Sequence, residues 1–226
     1  MEWIFFYQLF LFDLDGLLVN TEELHHAAYV VMCKNRGYDL PWSFADFCRI
    51  AHKSATGPKE QVYASLPSLY EEEPSWQVLY AEKQAAYLTL LKNGKVQLLE
   101  GVEPLLLALE KANIKRSVVT NSKKEQVDII REAIPLLNSI PYWFTRECYE
   151  KPKPDPEGYL KAIGVLKEEG DSVVGFEDSY RGYKALVDAG AKAVLVCPPD
   201  HPQLQEMDLS SVSHFPSFTS ISEAPK

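Results

Sequence analysis

The stretch Phe12-Asp13-Leu14-Asp15-Gly16-Leu17-Leu18-Val19-Asn20-Thr21-Glu22 constrains this chain more than any other part of it. Ahead of it, Ile4 to Phe12 is apolar almost throughout, apart from Gln8, and rich in Phe. Such a run, cut off sharply by acids, predicts a strand buried on both faces, as in a parallel sheet. In open α/β sheets, ligands sit in the crevice at the carboxyl ends of the strands. Asp13 and Asp15 therefore read as carboxylates offered to a ligand or a metal, with a plain Asp/Gly surface turn as the alternative.

The segment that follows has a different character. From Glu22 to about Tyr38, Leu24, Ala27, Ala28, Val31 and Met32 recur at helical spacing, and Gly37 marks a stop. Pro41 to Gly57 is mixed and polar-rich, and Arg49 to Gly57 reads as a loop carrying Arg49, His52 and Lys53. Further helices are predicted over Lys59 to Ala64 and over Pro74 to Leu91. None of these stretches has a β-type run. Residues 21–96 thus read as a helical insert within an α/β core made of residues 1–20 and 97–226.

Beyond Gly94, short β-branched runs alternate with helical patterns. Strands are predicted at Ser117-Val118-Val119, Tyr142-Trp143-Phe144, Ser172 to Phe176 and Ala193 to Val196. Alternation of this kind implies an α/β fold, a parallel doubly wound sheet with right-handed crossovers. Polar residues recur just past the strand ends: Asp13 and Asp15, Thr120 and Asn121, Lys151 in a loop, Glu177 and Asp178. Each has a dull explanation alone. Thr120 or Ser122 could cap a helix, Lys151 could be a solvated lysine, and Glu177-Asp178 could complement a helix dipole. The fold would nevertheless gather them at one edge of the sheet, where converging carboxylates call for a cation. Mg²⁺, a hard cation that prefers oxygen ligands, together with a phosphate, accounts for the set.

Composition narrows the function classes. At 46% hydrophobic and 24% charged, the 226 residues can bury a core. A formal charge of -9 argues against a nucleic-acid partner. Cys33, Cys48, Cys148 and Cys197 form no Cys-x-x-Cys pair and read as reduced thiols of a cytoplasmic protein. The apolar N-terminus lacks a basic region and a small-residue cleavage site, so it is not read as a signal peptide, and no stretch predicts a membrane span.

The four polar segments resemble, in order and spacing, the four motifs of the haloacid dehalogenase superfamily of phosphatases and phosphotransferases. Phe12 to Glu22 resembles the first motif, Val118-Val-Thr-Asn-Ser122 the second, Lys151-Pro-Lys-Pro-Asp155 the third and Gly175-Phe-Glu-Asp-Ser-Tyr-Arg-Gly182 the fourth. Within the superfamily the likeness is to the phosphoglycolate phosphatase and β-phosphoglucomutase group. It implies a Rossmann-like core with a small α-helical cap. By the same resemblance, Asp13 is the nucleophile that forms an aspartyl-phosphate and Asp15 the general acid/base. Thr120 and Asn121 hold the phosphate, and Lys151 neutralises charge beside Asp13. Asp13, the Asp15 carbonyl and Asp178, with Glu177 in support, bind Mg²⁺. Two departures stand near the third motif: Glu150 where many relatives have Gly, and Lys153 in place of a small apolar residue.

The substrate expected is a small phosphorylated metabolite, with no nucleic acid or membrane involved and a monomer or weak dimer as the working form. Arg49, Lys53 and His25 are candidate substrate or phosphate contacts, each against the plainer reading of a solvated side chain. The function expected is an Mg²⁺-dependent phosphatase of a small phosphomonoester, a sugar or organic-acid phosphate; the alternatives are a phosphomutase and, less favoured, a binding protein that keeps only the fold.

Overall fold

The computed structural model describes residues 1–54 and 56–225. At its centre lies a wholly parallel sheet of β1 (Leu9–Phe12), β2 (Lys115–Val119), β3 (Tyr142–Phe144), β4 (Val173–Glu177), β5 (Lys192–Val196) and β6 (Ser213–Phe215), in the order β3-β2-β1-β4-β5-β6. Every residue of β1 is buried, because both faces of the central strand are covered. Phe10 and Phe12 stack on Phe176 of β4, with ring centroids 6.0 and 5.5 Å apart. The strand order reverses between β1 and β4, the place where an open sheet leaves a crevice at its carboxyl edge.

Three expectations need correction. The first strand begins at Leu9, not Ile4. Glu2–Phe6 forms a 3-10 turn instead, with Trp3 and Ile4 buried and Phe5 and Phe6 exposed. The pairing explains this, since β2 and β4 begin opposite Leu9 and give the earlier residues no ladder to join. A sixth strand, β6, closes the far edge; its Ser-His-Phe sequence is too short and polar to show a strand pattern. Arg49, His52 and Lys53 do not lie on a loop but on a helix, Phe44–Lys53. Its start carries a capping box between Ser43 and Asp46; Arg49 and Lys53 lie on its outer face, whereas His52 is buried with Phe47, Cys48 and Ala51.

That helix is α2 of an insert that also contains α1 (Glu22–Asn35), α3 (Gly57–Ser65), α4 (Pro67–Glu72) and α5 (Trp76–Asn93). The insert buries an apolar cluster of its own around Tyr29, Met32, Trp42, Phe47 and Leu79, while Ala28, Tyr87 and Leu91 pack into the cluster on the sheet. Its two connections run side by side. Asn20 N donates to Gln97 O (3.1 Å), Gln97 N to Asn20 Oδ1 (2.7 Å) and Leu99 N to Leu18 O (3.0 Å). The remaining helices, α6 (Val102–Lys111), α7 (Lys124–Ala133), α8 (Glu157–Leu166) and α9 (Tyr180–Asp188), cover the sheet. Among the described residues no helix is long and apolar enough to cross a membrane.

Candidate active site

Directly after β1 the chain folds into a tight turn, with Gly16 N donating to Val19 O (2.9 Å) and Leu18 N to Leu14 O (3.0 Å). Gly16 has φ +79°, and a Cβ there would run into the Asp178 carboxylate and the stem of Glu22. Only glycine lets the turn pass this close to the end of β4. The result is that Asp13, Asp15, Glu22 and Asp178 line one cleft.

Asp13 is 8% exposed and its backbone N donates to Phe176 O at 3.1 Å, which fixes it to the end of β4. Its Oδ1 is in contact with Lys153 Nζ. The same ammonium reaches Glu177 Oε1 (2.6 Å) and Val119 O (2.7 Å), so one buried lysine joins the ends of β1, β2 and β4. Burial works against the lysine's charge, but Asp13 and Glu177 more than offset it and hold the ammonium protonated. Burial, with Glu177 and Asp15 nearby, pushes Asp13 up to about 7 in spite of Lys153. Asp178 is pushed well above the usual carboxylate range by burial and by the Glu22 and Asp13 charges.

Carboxylate oxygens of Asp13, Glu177 and Asp178 lie within 4.8 Å of one another. Buried, all-oxygen and overloaded with negative charge, this donor set fits a hard divalent cation. Glu177 is already engaged by Lys153, by the Tyr159 hydroxyl and, at 3.4 Å, by Ser179 Oγ. Gly182 makes room for it, since a Cβ there would collide with the Glu177 carboxylate.

Asp15, two residues on from Asp13, sits in a different environment. Thr21 Oγ1 (2.5 Å), Ser122 Oγ (2.6 Å), Tyr87 OH (3.3 Å) and Thr120 Oγ1 (3.4 Å) all donate to its carboxylate. His25 Nε2 lies 3.5 Å from Oδ1. Burial alone would raise Asp15, but His25, Ser122 and Thr21 together hold it below the ordinary range. His25 in turn stacks flat on Tyr87, with centroids 4.0 Å apart, and accepts at Nδ1 from Lys83 Nζ (2.8 Å). That contact places the imidazole proton on Nε2, facing Asp15. Lys83 is only 3% exposed and burial lowers it to about 8. Its ammonium also stands 5.0 Å from the ring centres of both Tyr29 and Tyr87.

The structure thus gathers Asp13, Asp15, Thr120, Asn121, Glu177, Asp178 and His25 around one cleft and leaves three other candidates out. Lys151 is the main correction. Its side chain is 72% exposed and faces Asp155 at 3.9 Å, so the buried lysine beside Asp13 is Lys153. The segment 150–157 carries two consecutive Lys-Pro pairs, and its fold selects the second. Asn121 Oδ1 accepts from Lys153 N (3.2 Å), while Glu157 caps the backbone N–H groups of Glu150 and Lys151. Arg49 and Lys53 are the other two. They line a separate cavity with Tyr180, Gln203 and Met207, because they lie on the outer face of α2. Arg49 pairs there with Asp46 at 2.8 Å.

Sequence reasoning missed Ser122, Thr21, Lys83 and Arg181, all close to this chemistry. Lys83 did leave a trace. It interrupts an apolar stripe of Leu79, Tyr87 and Leu91 at four-residue spacing, where a charge is out of place unless it has a partner.

Residues 10–196 match the profile of the family described as haloacid dehalogenase-like hydrolase. Validoxylamine A 7'-phosphate phosphatase of Streptomyces hygroscopicus subsp. limoneus is 28% identical over 204 residues, which cover 90% of this chain and 92% of that one. β-Phosphoglucomutase of Bacillus subtilis (strain 168) is 24% identical over 186 residues, covering 81% and 80%. A crystal structure of a mutant CbbY from Rhodobacter sphaeroides in complex with xylulose-(1,5)bisphosphate shares the fold, with a TM-score of 0.76 over 96% of this chain and 97% of that one, at 21% identity. With the profile running from β1 through the insert to β5, this chain belongs to the haloacid dehalogenase-like hydrolase family.

Proposed function

We propose that the chain is an Mg²⁺-dependent phosphatase of a small phosphomonoester, a sugar or short organic-acid phosphate, working through an aspartyl-phosphate. The observation that carries this reading is the division of labour between two acids on one turn. Asp13 lies against a buried lysine and beside two further carboxylates, whereas Asp15 is surrounded by donors and held by the insert. Phosphoryl transfer asks mainly for positioning and charge neutralisation, and a carboxylate can serve as the covalent nucleophile.

In this reading Asp13 attacks phosphorus while Lys153 balances its charge and that of the arriving phosphoryl oxygens. Thr120 and Asn121, with Ser122, form the phosphate cradle past β2. Asp13, Asp178 and the Asp15 carbonyl, with Glu177 behind them, would hold Mg²⁺, whose chemistry is to neutralise phosphoryl oxygens. The donors around Asp15 favour its ionised form, which is the base needed to take a proton from water in the second half-reaction. A phosphate that draws the Ser122 and Thr120 hydroxyls to itself relieves Asp15 of two donors. Its proton affinity then rises, as the first half-reaction requires of a general acid. The cleft, a cavity of about 150 Å³, is small and suits a small metabolite, and Arg181, Gln84 and Gln126 lie around it. Residues 21–96 act as a cap that carries His25 and Lys83 onto Asp15.

The tie from Lys83 through His25 to Asp15 also favours a second reading, a phosphomutase. It makes the proton carrier depend on the insert being closed, which would spare an aspartyl-phosphate from water until a sugar phosphate arrives.

A phosphate-release screen over phosphomonoesters, with and without Mg²⁺, tests the proposal. Asp13→Asn should abolish turnover and phosphoenzyme formation. Asp15→Asn should lose about 10²–10⁴-fold on alkyl phosphates and far less in the first step with aryl phosphates, accumulating phosphoenzyme visible by intact mass. Turnover by Asp13→Asn at the unmodified rate would overturn the nucleophile assignment. Phosphate transfer to a sugar monophosphate in preference to water would select the mutase.

A further inference from the structure

Beside the phosphate cleft, whose wall includes His52, the chain brings together a second set of ligand-type side chains. Cys48 and His52 stand one helical turn apart on α2 and point to the same side. His201, which follows β5 in the core, stacks on His52 with ring centroids 5.1 Å apart. One ligand atom each of Cys48, His52 and His201 lies within 4.8 Å of the other two. Cys48 is fully buried and His52 is 2% exposed.

His52 supplies the second observation. Its Nε2 is 2.7 Å from Glu22 Oε2, so Nε2 carries the proton and donates it to the carboxylate. The lone pair is left on Nδ1, which is buried and has no hydrogen-bond partner among the described residues. A buried acceptor without a donor is unusual and asks for an occupant. An imidazole whose far nitrogen is held by a carboxylate is also the ordinary arrangement of a metal-ligating histidine. One sulfur and two imidazole nitrogens suit a borderline-soft ion such as Zn²⁺ and do not suit Mg²⁺ or Ca²⁺.

We propose that Cys48, His52 and His201 form a binding site for a thiophilic divalent cation of the Zn²⁺ class, which staples the insert to the core. The cation binds the Cys48 thiolate, His52 Nδ1 and a His201 nitrogen, with water in the fourth position. The thiol proton passes to solvent as the sulfur–metal bond forms. Two ligands belong to the insert and one to the core, so occupancy holds α2 against the segment after β5. The site does not depend on the phosphatase reading. It differs from the carboxylate site in chemistry, because Asp13, Glu177 and Asp178 offer no sulfur.

The test uses the full chain saturated with Mg²⁺, so that the carboxylate site is filled, and Co²⁺ as the probe. One equivalent of Co²⁺ should produce a thiolate-to-cobalt charge-transfer band in the near ultraviolet, which Zn²⁺ then displaces. Cys48→Ser should lose the band, and His201→Ala should need at least about tenfold more Co²⁺ to develop it, the order of effect expected when a metal site is impaired. Should Cys48→Ser not fold, His201→Ala carries the test, because His201 is only half-buried and lies on a connecting segment outside the sheet. Absence of the band in the unmodified chain overturns the proposal, as does a band undiminished in Cys48→Ser, which would assign it to Cys33, Cys148 or Cys197. Zn²⁺ should also slow proteolysis near residues 93–98 in the unmodified chain and not in His201→Ala. Equal protection of both would overturn the staple.

Discussion

Lys153 is a cation almost removed from solvent, 4% exposed, wedged between the carboxylates of Asp13 and Glu177. Taking away one member of such a buried group leaves the other charges uncompensated, which typically costs about 3–5 kcal/mol. Lys153→Met should therefore destabilise the fold by that order in urea unfolding and reduce phosphatase turnover by roughly 10²-fold or more, the loss seen when a donor that stabilises developing charge is removed. Lys151→Met, at a side chain 72% exposed, should change stability by no more than about 0.5 kcal/mol and leave turnover intact. The reverse result would restore Lys151 to the site. The sequence told which segment brings a lysine to Asp13 but not which lysine, because Lys151-Pro152 and Lys153-Pro154 have the same local preferences. What separates them is long-range, namely the Asn121 side chain on one backbone amide and Glu157 on two others. Asp13, Asp15 and Asp178 were legible because they follow apolar strands, whereas Thr21 and Ser122 look like any helix-start hydroxyl until the fold aims them at Asp15.

Between elements, the consequential pairing is α1 against α5, which places His25 on Tyr87 and next to Lys83. Burial lowers Lys83 to about 8, so its ammonium is present below that pH and is lost as pH rises through it. Loss of the charge weakens the hold on His25 and hence on Asp15. The expected outcome is a fall in kcat/KM above about pH 8, since that ratio reports groups of the free enzyme. Lys83→Arg should move this limb to higher pH, and Lys83→Met should remove it and lower kcat/KM roughly 10- to 100-fold, the scale of a misplaced catalytic group. A limb that persists unchanged in Lys83→Met would belong to another residue. The helices themselves were readable from their periodicity except α2 and the short α4. In α2 the inward Cys48 and His52 look polar, although in the fold they are part of the buried face.

Across the whole molecule, the core and the insert meet at two adjacent connections, around the cleft, where Ala28, Tyr87 and Leu91 pack on the sheet, and where α2 faces the segment after β5. If the insert closes on a bound phosphate, Mg²⁺ with an aluminium fluoride phosphate mimic should protect residues 18–20 and 97–99 from protease and shrink the radius measured by X-ray scattering. Identical patterns with and without the mimic would count against closure. The doubly wound order and the helical insert follow from motif order and alternating patterns. The short edge strand β6 and the retreat of residues 1–8 from the sheet do not, because they depend on which neighbours are available to pair.

The placement of β1 between β2 and β4 has one further consequence. Amides in the middle of a fully covered sheet open only when the molecule unfolds globally, whereas a peripheral helical segment opens at lower cost. Deuterium uptake should therefore be slowest around Leu11 to Asp13 and measurably faster along α2 and α3. Asp13 is anchored in the slow region, yet the donors to Asp15 from Thr21, His25 and Tyr87 belong to the insert and its margin. Two acids separated by a single leucine thus keep different clocks: one is set when the chain folds, the other each time the insert breathes.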